Sequence, residues 1–110
     1  MRVRKRNRTV IWTIGSRDDL KNIADYLADA ESLETAVLIS SGIIDAGDKL
    51  RYQATLWRAR DDIYPGIRIV FAYSYAIVYY VQDSAVSIAR VIHGARDIAT
   101  ILRRTLNTSV

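Results

Sequence analysis

The sequence predicts an α+β domain: an N-terminal edge strand, an antiparallel helical hairpin packed on a three- to four-stranded antiparallel sheet, and a short C-terminal helix. Three observations carry this. Two helical apolar patterns follow one another between residues 17 and 50 with a short link. Three β-patterned runs occupy 67–92 with breaks too short for parallel crossovers. The chain has 110 residues, half of them hydrophobic and a quarter charged, which suits one ordered domain with one modest core.

Val10 to Ile14 is β-branched and aromatic, and Gly15 ends it, so a first strand is expected there. Ser16-Arg17-Asp18-Asp19 reads as a capping-box variant with Asp in place of Glu, opening a helix over 17–29. Leu20, Ile23 and Leu27 fall on one face of it with Ala24 beside them. Ser32 reads as the next cap, and Leu33, Ala36, Val37, Ile39, Ile43, Ile44, Ala46 and Leu50 give a second apolar face running to about residue 50. Gly42 and Gly47 interrupt that helix at about 1 kcal/mol each relative to Ala, a cost expected to be offset by close packing of the two helices. Residues 51–65 show no periodicity and read as a loop.

The sheet follows. Ile67 to Ala72 alternates; Tyr75 to Val81 is almost continuously apolar, as a central strand covered on both faces would be; Ala85 to Ile92 is the last strand. Gly94 breaks it, and Ala95 to Arg104 is expected to close the domain as a short helix. By these patterns 1–8 is a basic arm, 9–104 the domain and 105–110 a tail.

The formal net charge of +4 is unevenly spread. Residues 1–17 carry Arg2, Arg4, Lys5, Arg6, Arg8 and Arg17 with no acid; residues 18–62 are net negative; the remainder is net positive. A basic arm on a mixed-charge body fits contact with nucleic acid or an acidic partner, and equally fits a solvated terminus. No apolar run approaches the roughly 18 residues of a membrane span, and no signal-peptide pattern is present, so a cytoplasmic location is the simplest reading. The absence of cysteine excludes a disulfide framework and a thiolate zinc site.

Little in the residues points to catalysis. His93 is the only histidine and has no partner at metal-ligand spacing, so neither a metal nor a cofactor is expected, and His93 with Gly94 reads as the turn from strand to helix. Metal-free RNA cleavage would need a cluster of cations with a tyrosine or histidine base. The last third offers Arg68, Tyr79, Tyr80, Arg90, His93, Arg96, Arg103 and Arg104, but no lysine and no tyrosine after Tyr80. Phe71, Tyr73, Tyr75, Tyr79 and Tyr80 do not alternate with basic residues, so they read as strand filling and partner contact more than as a base-stacking platform.

Four stretches in this order and spacing resemble the ParE toxins of the RelE/ParE superfamily of bacterial type II toxin–antitoxin systems. They are Thr13 to Leu20, Arg60 to Arg68 (which carries Pro65-Gly66-Ile67-Arg68), Ile77 to Val81, and Arg90-Val91-Ile92-His93-Gly94-Ala95-Arg96-Asp97. The last is the most specific. The sequence departs from the family pattern at Tyr73-Ser74, where Gly-Arg is frequent, at Tyr80, where a basic residue is common, and in its longer basic leader. The resemblance covers about residues 9–104. It implies a toxin that poisons DNA gyrase by binding, without catalysis, and is neutralised by a cognate ParD-like antitoxin. The alternatives it leaves are a ribosome-dependent mRNA endoribonuclease of the RelE type and an inactive member of an autoregulatory complex. On this reading Arg90, Arg96, Arg103 and Arg104 are the candidate target contacts, with Asp97 or Asp83 as possible ion-pair partners of the first two. Leu27, Val37, Trp57, Tyr73 and Tyr75 are the candidate antitoxin contacts, in a groove between hairpin and sheet that could also accept an added strand. A hetero-oligomer with the antitoxin is expected, with no direct nucleic-acid binding by the chain alone.

Overall fold

The computed structural model describes residues 7–106, so most of the basic arm and the last four residues of the tail lie outside the described residues. The elements are β1 (Thr9–Trp12), α1 (Ile14–Ala30), α2 (Leu33–Asp48), α3 (Leu50–Gln53), β2 (Arg68–Ala72), β3 (Tyr75–Val81), β4 (Ala85–His93) and α4 (Ile98–Leu106). The sheet order is β1-β4-β3-β2. Strands β2, β3 and β4 pair antiparallel in sequence, with β3 between the other two. Strand β1 lies at the edge, but it pairs parallel with β4, so the sheet is mixed where a purely antiparallel one was expected. The antiparallel rule holds for strands joined by short links. Between β1 and β4 the chain passes through the hairpin and two more strands, and that path sets the direction.

Side chains alternate across β3 to build two cores. Ile77 and Tyr79 join Ile43, Leu50, Val70, Val86 and Ile88 under the helical hairpin. Ala76 and Val78 face the other way, joining Ile67, Ile69, Ile92 and Leu102 under α4. This double covering is why β3 is nearly continuous in apolar residues. Tyr79 is fully buried, and its hydroxyl donates to the Ala54 carbonyl at 2.8 Å. Burial pushes that phenol up to about 12, so it remains a donor through the neutral range. Tyr79→Phe is expected to lower unfolding free energy by about 1–3 kcal/mol by orphaning the buried Ala54 carbonyl. Denaturant midpoints read this, and a change below about 0.5 kcal/mol would mean that water reaches the carbonyl.

Several local expectations need correction. The strand ends at Trp12, and Thr13, not Ser16, caps α1. Thr13 Oγ1 accepts the Ser16 N–H at 3.2 Å and donates to the Ile88 carbonyl at 2.8 Å, so one hydroxyl ties the helix start to β4. Ile14, counted as strand, opens the helix and is 70% exposed. The second helix does start at Ser32, whose hydroxyl accepts the Thr35 N–H, but it stops at Asp48 and is followed by the single turn α3 inside the expected loop. The last helix starts three residues later than expected, where Asp97 accepts the Thr100 N–H at 3.1 Å, and it runs on to Leu106.

The glycines of α2 make room for the sheet layer and not for α1. A Cβ on Gly42 would stand 2.3 Å from the Tyr73 ring, and one on Gly47 would stand 2.3 Å from the Trp12 ring. Each omitted side chain is thus the space that an aromatic residue of the sheet layer occupies.

Candidate functional site: a groove along the open edge of β4

β1 pairs with β4 only as far as Trp12 opposite Ile88. There the chain turns into α1, and the remaining part of β4 loses its neighbouring strand. The register also slips by one residue opposite Val78 and Tyr79, leaving Ala89 as a bulge. Beyond it Val91 packs toward the hairpin and Ile92 toward α4.

Asp19 of α1 stands where the next strand would be. Its carboxylate accepts the Val91 N–H at 2.8 Å and takes two bonds from Arg90, Nε at 2.7 Å and Nη2 at 3.0 Å. The pair is largely buried, Arg90 22% and Asp19 14% exposed. Hydrogen bonding to Asp19 holds the Arg90 guanidinium above its ordinary range. One carboxylate therefore satisfies both an orphaned edge donor and a half-buried cation.

The gap between α1 and this edge is a cavity of about 840 Å³. Ile23, Leu27, Ile39, Tyr75, Val91 and Ile101 supply its apolar lining, and Tyr26 and Tyr73 stand exposed at its rim. Tyr73 has φ 55 in the two-residue turn between β2 and β3, a conformation that Gly or Asn ordinarily takes. Burial raises the Tyr75 hydroxyl, with Tyr26 adding to the effect. The His93 ring stands edge-on to Tyr75, centroids 5.2 Å apart. His93 Nδ1 accepts the Ala95 N–H at 3.1 Å, which leaves the proton of the neutral ring on Nε2.

The structure divides the residues singled out from sequence. Leu27, Tyr73 and Tyr75 line the groove together with Arg90, His93 and Arg96. Val37 is exposed on α2 outside it, and Trp57 packs half-buried against the hairpin-side core while its carbonyl accepts from Arg68. Arg103 and Arg104 are exposed in the last turn of α4, so the four candidate cations do not converge on one point. The ion-pair partner of Arg90 is Asp19, not Asp97 or Asp83. Asp19 was legible only as a helix-start acid, because its partner lies 71 residues away in sequence. Tyr26 could have been found as the aromatic one turn beyond Ile23. Among the described residues no group of three His, Asp or Glu side chains could hold a metal ion, and no helix is long and apolar enough to cross a membrane.

Residues 10–98 match the family described as the ParE toxin of the type II toxin–antitoxin system parDE. No curated protein sequence gives a match. Among solved structures, the chain is similar to one from the chromosomal ParDE toxin–antitoxin system of P. aeruginosa, with a TM-score of 0.71 and 20% identity over 78% of this chain and 95% of that one. It is also similar to a chain of the toxin–antitoxin complex RelBE2 from Mycobacterium tuberculosis, with a TM-score of 0.52 and 20% identity over 79% of this chain and 98% of the other. At these identities the two likenesses bear on the fold.

Proposed function

This chain belongs to the ParE toxin family of type II toxin–antitoxin systems, and from that premise we propose that it acts in the cytoplasm by binding DNA gyrase, and that a ParD-like antitoxin neutralises it by filling the groove beside β4. The groove itself carries this reading. An apolar floor with two exposed tyrosines at its rim is a surface that a macromolecular partner covers, since aromatic residues dominate such contacts. The two matched solved structures come from toxin–antitoxin assemblies, which supports an antitoxin as the occupant.

The same groove offers poor acid–base chemistry. The lone-pair nitrogen of His93 is engaged by a backbone N–H, the Tyr75 hydroxyl is shifted away from ionisation, and Arg90 is neutralised by Asp19. This favours binding over the RelE-type nuclease alternative.

The deciding experiment incubates the purified chain with gyrase, ATP and supercoiled plasmid, and in parallel with programmed ribosomes. Cleaved DNA trapped on gyrase, released by adding the antitoxin, is the expected result, with the ribosome-bound mRNA intact. Cut mRNA without trapped DNA would assign the chain to the nuclease class instead.

A further inference from the structure

We propose that a second copy of this chain pairs with the outer edge of β2, antiparallel and about a two-fold axis at Val70, so that the two sheets join into one. This surface lies on the other side of β3 from β4 and is independent of the groove.

The ladder decides which groups point outward. The turn at Tyr73-Ser74 makes Ala72 and Tyr75 the closing hydrogen-bonded pair of the β2–β3 hairpin. Bonded pairs recur at every second residue, so Val70 with Ile77 and Arg68 with Tyr79 follow. Ile69 and Phe71 therefore turn their N–H and C=O away from β3. Among the described residues no backbone group bonds them on that side. At Ile67 the edge is closed, because its carbonyl accepts the Arg60 N–H at 2.6 Å and its own N–H goes to the Tyr64 carbonyl. The strand has no lysine or proline to blunt it, and its one charge, Arg68, is directed to the Trp57 carbonyl. On β4, by contrast, Asp19 occupies the open edge.

Two free residues spaced two apart are self-complementary. Ile69 of one copy set against Phe71 of the other exchanges both bonds, and the two-fold axis repeats the exchange. The side chains suit this register. Ile69 belongs to the core under α4, and the Phe71 ring lies over Gly94 on the same face. A β-branched residue opposite an aromatic one is a favoured cross-strand pair, and it would cover Phe71, which is 57% exposed. On the hairpin face Val70 meets its own counterpart, and the long Arg68 meets the small Ala72. Sliding the register by two residues sets the free groups against Tyr73 of the turn or against Ile67, whose carbonyl is taken. The fit of the edge to itself is what selects a second copy as the occupant.

Sedimentation of the purified full chain is expected to show one chain when dilute and two on approaching about 1 mM, because an edge this short buries less than the roughly 1,200 Å² of stable complexes. Phe71→Pro removes only an outward N–H, so it should keep the parent's circular dichroism spectrum and stay monomeric throughout. A parent that never associates overturns the proposal, and so does a folded Phe71→Pro that associates like the parent. The register is tested without that variant. The chain has no cysteine, so Val70→Cys is expected to give a disulfide-linked dimer on mild oxidation, since directly opposed positions of this kind stand about 4.5 Å apart. Ala72→Cys should not link, because its counterpart lies four positions along, about 13 Å away. Linkage through Ala72→Cys, or through neither, overturns the pairing. A chain that remains monomeric and gains amide protection in β2 only when antitoxin is added would assign the edge to the antitoxin instead.

Discussion

Asp19→Ala is expected to lower the unfolding free energy by about 2–4 kcal/mol. Two losses combine. Val91 is 3% exposed, and its N–H would lose its acceptor, worth about 1–3 kcal/mol for a buried donor. Arg90 would be left half-buried without its carboxylate. Breaking a fully buried pair costs about 3–5 kcal/mol, and the exposure remaining here places this one below that range. The asymmetry between partners is the sharper test. Arg90→Ala leaves Asp19 still bonded to the Val91 N–H, so it should cost about 1–2 kcal/mol. Denaturant unfolding of both variants without antitoxin measures the difference. Equal losses would mean that the ion pair, and not the sealing of the strand edge, is what Asp19 contributes. The same substitution should widen the groove and leave β4 able to accept a strand, so aggregation on concentration is expected to accompany it.

What was legible in the sequence and what was not divides along contact distance. The three consecutive strands were readable because alternation and short breaks are local signals. Tyr75 to Val81 was readable as the central strand because double burial removes its polar positions. The Ser32 cap was readable because a hydroxyl three residues before the N–H that donates to it is a local pattern. Thr13 was missed because two hydroxyl residues, Thr13 and Ser16, both fit the cap, and the choice is made by the bond from Thr13 to Ile88 across the sheet. The glycines of α2 could be seen as costly but not as spaces for Trp12 and Tyr73, which reach them from other elements. The groove follows the same rule. Its tyrosines were visible as aromatic residues, whereas the gap itself exists because β1 ends opposite Ile88, and only the tertiary path shows that.

Replacing Arg103 and Arg104 together with alanine is expected to reduce toxicity at least tenfold while leaving the fold and antitoxin binding nearly unchanged. Helix α4 is held by apolar side chains: Leu102 is fully buried, with Ile98, Ile101 and Leu106 packed beside it. Its first turn is fixed by Asp97, whose carboxyl is held below the usual range by the Thr100 hydroxyl, then by the Thr100 N–H, with Arg103 and Arg104 adding to the effect. The two arginines are exposed at the helix C-terminus, where each contributes about 0.3–1 kcal/mol through the helix dipole, so the double variant should stay folded. They lie on the helix that covers the sheet face opposite the hairpin. Leu102→Ala provides the contrast, because it should cost about 2–5 kcal/mol and impair both activities through the fold. Survival on induction, gyrase trapping and antitoxin affinity are the three readouts. A double variant that stays fully toxic would remove α4 from target contact and leave Arg96 as the remaining exposed candidate. Arg96 lines the groove, so target and antitoxin would then compete for one surface, and neutralisation would be direct occlusion. A double variant that loses toxicity yet still binds antitoxin would instead separate the two surfaces, and neutralisation would have to act through the bulk of the bound antitoxin or through α4 itself.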